Sequence, residues 1–443
     1  MAGPSDKARF YLEQSATELN ELERKKIFSR EEIGSIAKKR SDFEHIINAR
    51  GSHPEDYMRY IEFEKNVDAL RRKRIKRLGV RYKGSGQRTI YLLYNRATRK
   101  FSGDLALWMQ YIDFARRDKA YKRLNDIFTS VARLHPTQPD IWILAANYFM
   151  DTQADITNAR SYMQRGLRFC KKSEVMWLEY AKLETIYVGK IAGRRRILGL
   201  DVDRTKKDED GDENMIALPE VTAEDVNPSL KQDDGVDEVA LQNLAAAPVL
   251  TGAIPLAIFD SAMKQFQGSP RLGERFFGMF AEFEQVACIP RILQHVLGYL
   301  QEQSPQAVET AVCKFHMQLY GSDAADPETA IRLSKALDVI SSTVQQHPRE
   351  SSRVAEVVVR RLLSLHRLLA DADSSLQKAS RAALRKYVRA MEEGQDRGDR
   401  VVGLAQLLQQ EGKKLDADVL MQMGVKYWGE NGEVQKYISA MEG

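Results

Sequence analysis

An aromatic triplet with fixed internal spacing recurs along this chain and constrains its fold more than any other feature. An aromatic residue, an aromatic or apolar residue three positions later, and another three after that occur as Tyr57, Tyr60, Phe63 and as Trp108, Tyr111, Phe114. They return as Trp142, Ala145, Tyr148, as Trp177, Tyr180, Leu183, and as Phe277, Phe280, Phe283. Positions three apart share one face of a helix, so each triplet is an apolar stripe that a second helix must cover. The cover follows in sequence as amphipathic segments at 91–97, 120–134, 159–169, 255–266 and 292–300. Each unit therefore reads as a helical hairpin. Trp108 to Trp142 is 34 residues and Trp142 to Trp177 is 35, the period of tetratricopeptide-like (TPR-like) repeats.

The remaining patterns agree. Alternating strand signals are nearly absent, and Asp210-Gly211 and Asn431-Gly432 lie in acidic or polar surroundings rather than between strand-like segments. Residues 7–24 and 30–49 read as two N-terminal capping helices, the second opened by Ser29 with Glu32 three residues later, a capping box. Beyond Gly321 the aromatics thin out, and amphipathic helices continue at 327–346, 351–370, 376–393, 399–414 and 417–428. The expected fold is all-α, a right-handed superhelical solenoid of about eight or nine hairpins, rather than the three domains that 443 residues would suggest. Its segments are a cap at 1–52, repeats at 53–200 with a basic insertion at 71–86, an acidic flexible insertion at 201–250, and degenerate repeats at 251–443.

The period breaks twice, and charge explains where. Tyr57 to Trp108 is 51 residues, and the excess coincides with Arg71, Arg72, Lys73, Arg74, Lys76 and Arg77. Residues 71–100 hold twelve Lys or Arg and no acidic residue. The second break, between Trp177 and Phe277, surrounds residues 201–240, with fourteen acidic and four basic side chains. The total of +5 thus hides two strong segments of opposite sign. A basic run of this density suits phosphate contact or nuclear import, for which Arg71, Arg72, Lys73, Arg74, Lys76 and Arg77 are the candidates. The simpler account, and the one to be preferred on sequence alone, is a solvated helix extension or contact with an acidic protein neighbour. The basic stripe Lys378, Arg381, Arg385, Arg389 reads as an ordinary solvated face.

Catalytic and cofactor chemistry finds no foothold. The seven histidines never fall three or four apart, so no helical metal pair forms. Gly84-Ser85-Gly86 lacks a third glycine and any P-loop lysine and reads as a turn. Cys170, Cys288 and Cys313 have neither metal nor disulfide spacing, which suits a reducing compartment. No signal-peptide core opens the sequence, and no run of about 18 apolar residues occurs, so secretion and membrane spanning are not expected. The triplets could be read as base-stacking platforms, but a stripe repeated in every unit is what packing requires. Glu64, Glu184 and Glu284, which follow three of the triplets, read as repeat-stabilising partners rather than catalytic carboxylates.

The triplet with trailing Glu, followed by a helix such as Ala159, Arg160, Tyr162, Met163, Arg165, Gly166, Leu167, resembles the half-a-TPR (HAT) repeat. A longer likeness runs through Glu18-Leu19, Leu22-Glu23-Arg24, Phe28-Ser29, Glu31-Glu32-Ile33, Lys39-Arg40, Asp42-Phe43-Glu44, Ala49-Arg50-Gly51, Tyr57-Met58-Arg59-Tyr60-Ile61-Glu62 and Leu70-Arg71-Arg72-Lys73-Arg74. These resemble the U-three small nucleolar RNA-associated protein six family, firmest over residues 7–190. The resemblance implies a non-catalytic scaffold without cofactors, in the UTP-B module of the small-subunit processome. It implies a place in the nucleolus and in maturation of 18S rRNA, with WD-repeat propeller subunits, extended peptides from them, the U-three snoRNP and pre-rRNA as partners. The alternative is a HAT scaffold of a splicing or cleavage complex that touches RNA through its basic segment.

Overall fold

The computed structural model describes residues 4–82, 84, 86–197, 248–321, 328–368, 374–391 and 398–442. The acidic stretch at 201–240, with Asp210-Gly211, and Ser85 lie outside them. The described residues form nineteen α-helices and two short 3-10 turns and contain no strand. Contacts divide the chain into two compact units, Met1–Ala145 and Ala146–Gly443.

The first unit opens with α1 (Pro4–Arg24), α2 (Arg30–Asn48) and α3 (Pro54–Leu78). It continues with α4 (Gln87–Lys100), α5 (Leu105–Arg117), α6 (Tyr121–Leu134) and the start of α7 (Pro139–Thr152). Helix starts follow local chemistry. The Ser29 hydroxyl accepts from the Glu32 amide and the Glu32 carboxylate accepts from the Ser29 amide, closing the expected capping box on α2. Asp104 caps α5 by accepting from the Leu107 amide at 3.2 Å. Helix α3 begins on Pro54, whose missing amide hydrogen costs nothing in the first turn, and ends on Gly79 in the left-handed conformation (φ 63°). The run 71–77 is thus a C-terminal extension of α3, and the rest of the excess is the 79–86 connection.

The triplets behave as core. Tyr57, Tyr60, Trp108, Tyr111, Trp142, Tyr148, Tyr180, Leu183, Phe277 and Phe280 are buried, while Phe63, Phe114 and Trp177 are partly covered. In the first unit each helix packs on its successor from α1 through α6. Tyr60 stacks on Phe43 of α2 with centroids 5.0 Å apart, and Tyr111 stacks on Tyr94 of α4 at 4.9 Å, each pair 7° from parallel. Both stacked partners lie 17 residues before the middle of the triplet. The same register places Phe128, Met163 and Met263, all fully buried, before Ala145, Tyr180 and Phe280. The covering helix therefore precedes its triplet as well as following it, a rule the triplets alone do not reveal. A second shared device holds the tryptophans. The indole Nε1 of Trp108, Trp142 and Trp177 donates to the carbonyl six residues earlier, in Ser102, Pro136 and Lys171, at 3.0, 3.0 and 3.4 Å. A buried indole needs such a partner, and the loop ahead of each helix is thereby pinned to it.

The second unit holds α8 (Ile156–Phe169), α9 (Glu174–Ile197), α10 (Ala253–Gln265), α11 (Pro270–Ala281), α12 (Ile289–Gln303) and α13 (Val308–Gln318). Then come α14 (Glu328–Gln346), α15 (Ser351–Leu368), α16 (Ser374–Met391), α17 (Asp399–Gln410), α18 (Lys414–Trp428) and α19 (Gly432–Glu442). Helices α10 and α11 pack on α9. From α13 onward the core is largely aliphatic, with Leu333, Ile340, Val358, Leu362, Leu384, Val388, Leu408 and Leu420 buried. Cys170, Cys288 and Cys313 are free and buried.

Several expectations are corrected. Helix α11 ends at Ala281, so Phe283 and Glu284 lie in the following turn and only Phe277 and Phe280 of that triplet share the helix; Phe276 joins them in the core. The segment 399–414 breaks at Gly412 (φ 79°), where α17 gives way to α18, because only glycine enters that backbone region freely. Helices α13 and α19 were not expected. The side chain of Asn431 accepts from the Glu433 and Val434 amides and starts α19, so Asn431-Gly432 opens a helix. No described helix is long and apolar enough to cross a membrane.

Candidate functional site

The basic segment and the N-terminal corner form one structure. Arg71 is buried on α3, bound to Asp68 and to Glu18 of α1, with its guanidinium 5.5 Å from the Tyr82 ring centre. Arg74 binds Glu32 with both nitrogens at 2.6 and 2.7 Å, donates to the Ile27 carbonyl at 3.1 Å and lies 4.8 Å over the Phe28 ring. Arg71 ties the end of α3 to α1, and Arg74 ties it to the turn after α1 and to the start of α2. Arg72 pairs with Asp68 at 2.8 Å from an exposed position. Lys73, Lys76 and Arg77 face solvent without an ion pair among the described residues. The six candidates thus divide into two that hold the fold and four on its surface.

The Arg74 bond has a pH signature. Hydrogen bonds from Arg74 first, then from the Ser29 amide, hold the Glu32 carboxyl down at about 2, against an ordinary value of 4.5. A carboxylate depressed on folding stabilises the folded state above its unfolded value and loses that contribution as pH falls through the folded one. The contribution of Glu32 is therefore complete above pH 4.5 and lost between 4.5 and about 2. Arg74→Gln should raise the Glu32 titration, followed by carboxyl NMR shifts, part of the way from about 2 toward 4.5, because the Ser29 amide still donates to it. An unchanged titration in that variant would show that Arg74 is not the cause.

Glu64 and Glu184 are the stabilising partners that sequence reading expects, but it does not identify the arginines that hold them. Arg40 of α2 holds Glu64 of α3 through two bonds of 2.8 Å, both residues being over nine-tenths buried. Burial works against the Arg40 charge, and the Glu64 carboxylate outweighs it, so the guanidinium sits above its ordinary value. In the second unit Arg160 holds Glu184 in the same way, at 2.6 and 2.7 Å. Each arginine lies 24 residues before its glutamate. That interval was the available signal: the residue 24 before Glu284 is Asp260, which cannot pair with it, and Glu284 instead approaches Arg361 at 3.5 Å. Arg96 of α4 clamps Glu44 with two bonds of 2.8 Å and covers the Tyr11 ring at 3.8 Å. An open cavity of about 670 Å³ lies between α1 and α4, walled by Tyr11, Glu18, Arg40, Tyr60, Arg88 and Arg96 among others.

Nothing in this arrangement aligns a nucleophile with a base, and among the described residues no group of three or more His, Cys, Asp and Glu is placed to hold a metal ion. It is a charged, partly open surface on a rigid helical frame.

The same stretch carries the likeness to known proteins. The family model described as U3 small nucleolar RNA-associated protein 6 matches residues 12–99. The protein of that name from Schizosaccharomyces pombe is 36% identical over 199 residues, 44% of this chain and 41% of its own. The Homo sapiens homolog is 31% identical over 185 residues, covering 41% of this chain and 31% of its own. The Dictyostelium discoideum homolog is 24% identical over 352 residues, 76% of this chain and 56% of its own. The chain therefore matches less than two thirds of each of these relatives. Over residues 12–99 the chain is similar to the U3 small nucleolar RNA-associated protein 6 family, and over 185 to 199 residues to members of it.

Proposed function

We propose that this protein is a non-catalytic scaffold subunit that works with the U3 small nucleolar ribonucleoprotein in ribosome biogenesis. The observation that carries the reading is the family match over residues 12–99, which falls on the basic corner built by α1 to α4. The finer reading assigns the helical pairs to HAT repeats. It places the protein in the nucleolus, in the UTP-B module of the small-subunit processome, with propeller subunits and pre-rRNA processing toward 18S rRNA. The recurring registers of 17, 24 and 34 residues support it, because stacked equivalent pairs present a long surface to partners. Recovery of the tagged protein with and without nuclease tests it. Nuclease-resistant recovery of processome subunits is expected, and recovery of splicing factors instead would overturn it.

Direct RNA contact is a second reading, favoured by the four surface cations. Neutralising Arg72, Lys73, Lys76 and Arg77 to Gln should weaken binding of a single-stranded RNA. The slope of log affinity against log salt should flatten by roughly 0.7 for each phosphate no longer neutralised. Equal slopes for variant and wild type would leave these residues as a solvated face. Arg71 and Arg74 are excluded from the test because their loss would disturb the fold.

A further inference from the structure

The stripe Lys378, Arg381, Arg385, Arg389 reads in sequence as an ordinary solvated face, but its surroundings are not ordinary. Helices α15 and α16 pack against each other. Helix α15 carries four arginines, and every one meets a carboxylate. Arg353 binds Glu274, Glu309 and Glu350, Arg360 meets Glu411 at 3.3 Å, and Arg361 and Arg367 lie 3.5 Å from Glu284 and Asp416. Helix α16 carries five cations, Lys378, Arg381, Arg385, Lys386 and Arg389, and no acidic residue. All five are exposed, and none has an ion pair among the described residues. Like charges three and four apart destabilise a helix, and α16 accumulates them from Lys378 through Arg381 and Arg385 to Arg389, so helix stability does not account for the row. Two of the cations are held in place without being neutralised. Arg389 lies 4.4 Å over the Tyr427 ring, and Arg381 Nε donates to His366 Nε2 at 3.4 Å. Burial first, and then the Arg381 charge, hold the His366 imidazole below its ordinary value, so it accepts this bond as a neutral ring.

The face also chooses between classes of ligand. At about 100° per residue the five cations fall within about 140° of the helix circumference, and from Lys378 to Arg389 the row is about 16 Å long. The uncharged side chains exposed among them are Ala379, Ala382 and Ala390. A protein interface is anchored by apolar and aromatic side chains with charge at its rim, and three methyl groups supply no such anchor. Single-stranded RNA is held by rings on which bases stack, but Tyr387, the one ring on α16, is only 3% exposed. Paired RNA needs neither, because its bases are already stacked and it offers phosphates and 2′-hydroxyls at closely spaced intervals along a rigid surface. A straight row of cations between small side chains can approach several of those phosphates at once.

We propose that the outer face of α16 binds a double-stranded segment of RNA, with Lys378, Arg381, Arg385, Lys386 and Arg389 on its backbone phosphates and no base read. The proposal concerns the second unit and paired RNA, and it holds whether or not the protein is a processome scaffold. Fluorescence anisotropy of the full chain with a labelled RNA duplex of about 16 base pairs tests it, beside a polyuridine strand of equal charge. The test variant combines Lys378→Gln, Arg381→Gln, Arg385→Gln and Lys386→Gln and leaves Arg389 on Tyr427. All four positions are exposed, so it keeps the wild-type fold, checked by circular dichroism. Arg72, Lys73, Lys76 and Arg77 stay in place in both proteins, so the difference between them reports α16 alone. Affinity for the duplex should fall about tenfold or more at about 0.1 M salt, and the slope of log affinity against log salt should flatten by roughly 0.9 for each phosphate no longer neutralised. Arg381→Lys with Arg385→Lys should keep the wild-type affinity and slope, because phosphate contact of this kind needs charge rather than guanidinium geometry. Equal affinity and slope in wild type and the four-fold variant would overturn the proposal. So would tighter binding of polyuridine than of the duplex, loss of binding in the lysine variant, or displacement of the duplex by polyglutamate at equal charge concentration, the mark of a site for an acidic protein.

Discussion

Replacing Glu64 by alanine should destabilise the first unit by about 3–5 kcal/mol, the cost of leaving a buried charge without its partner. The reasoning starts from Arg40. Its side chain is almost fully buried, and a guanidinium does not give up its proton in a protein, so it cannot escape the loss by becoming neutral. With Glu64 removed, Nε and Nη2 lose their acceptors and join Nη1, which has none. Replacing both residues by apolar ones of similar volume, Arg40→Met with Glu64→Leu, should recover most of the loss, since the pair's attraction is largely offset by its desolvation. Hydrogen exchange of the α2 and α3 amides reads the effect locally, which matters in a chain of two compact units that need not unfold together. A loss below about 1 kcal/mol for Glu64→Ala would mean that water or another side chain reaches Arg40.

The second large effect is expected at Trp108. Truncation to alanine should cost about 3–5 kcal/mol, because a buried ring next to Tyr111 is lost and the cavity left cannot fully collapse. Trp108→Phe separates two contributions. It keeps most of the apolar contact and removes the Nε1 bond to the Ser102 carbonyl, so about 1 kcal/mol should be lost, together with protection of the 101–104 loop. The same substitution at Trp177, whose corresponding bond is 3.4 Å long and whose ring is only partly covered, should cost less. Equal costs at the two positions would show that the indole bond does not contribute.

These two residues mark how far the sequence could be read. The tryptophans and tyrosines of the triplets announce themselves by spacing, since three-residue periodicity identifies a helix face without knowledge of its neighbour. Ser29 and Glu32 announce a helix start for the same local reason. Arg40 does not announce itself. Its partner lies 24 residues away on another helix, and nothing in the composition of 30–49 separates it from Lys38 or Lys39, which reach solvent or lie over an aromatic face instead. The repeat of that interval at Arg160 and Glu184 makes it recognisable in retrospect.

The basic segment shows the limit from the other side. Six cations in seven residues look alike in sequence, yet a helix turns by about 100° per residue and sends them to different surroundings. Arg71 and Arg74, three apart, share the inward face and meet Glu18, Asp68 and Glu32, while Lys73, Lys76 and Arg77 point outward. Local patterns determined that this chain is helical, where most of its helices start and which rings are core, because those properties depend on neighbours within a turn or two. Which charges are buried and which remain free for a partner was decided only by packing, because a charge takes its value from the dielectric and the counter-charges around it, and these come from helices distant in sequence.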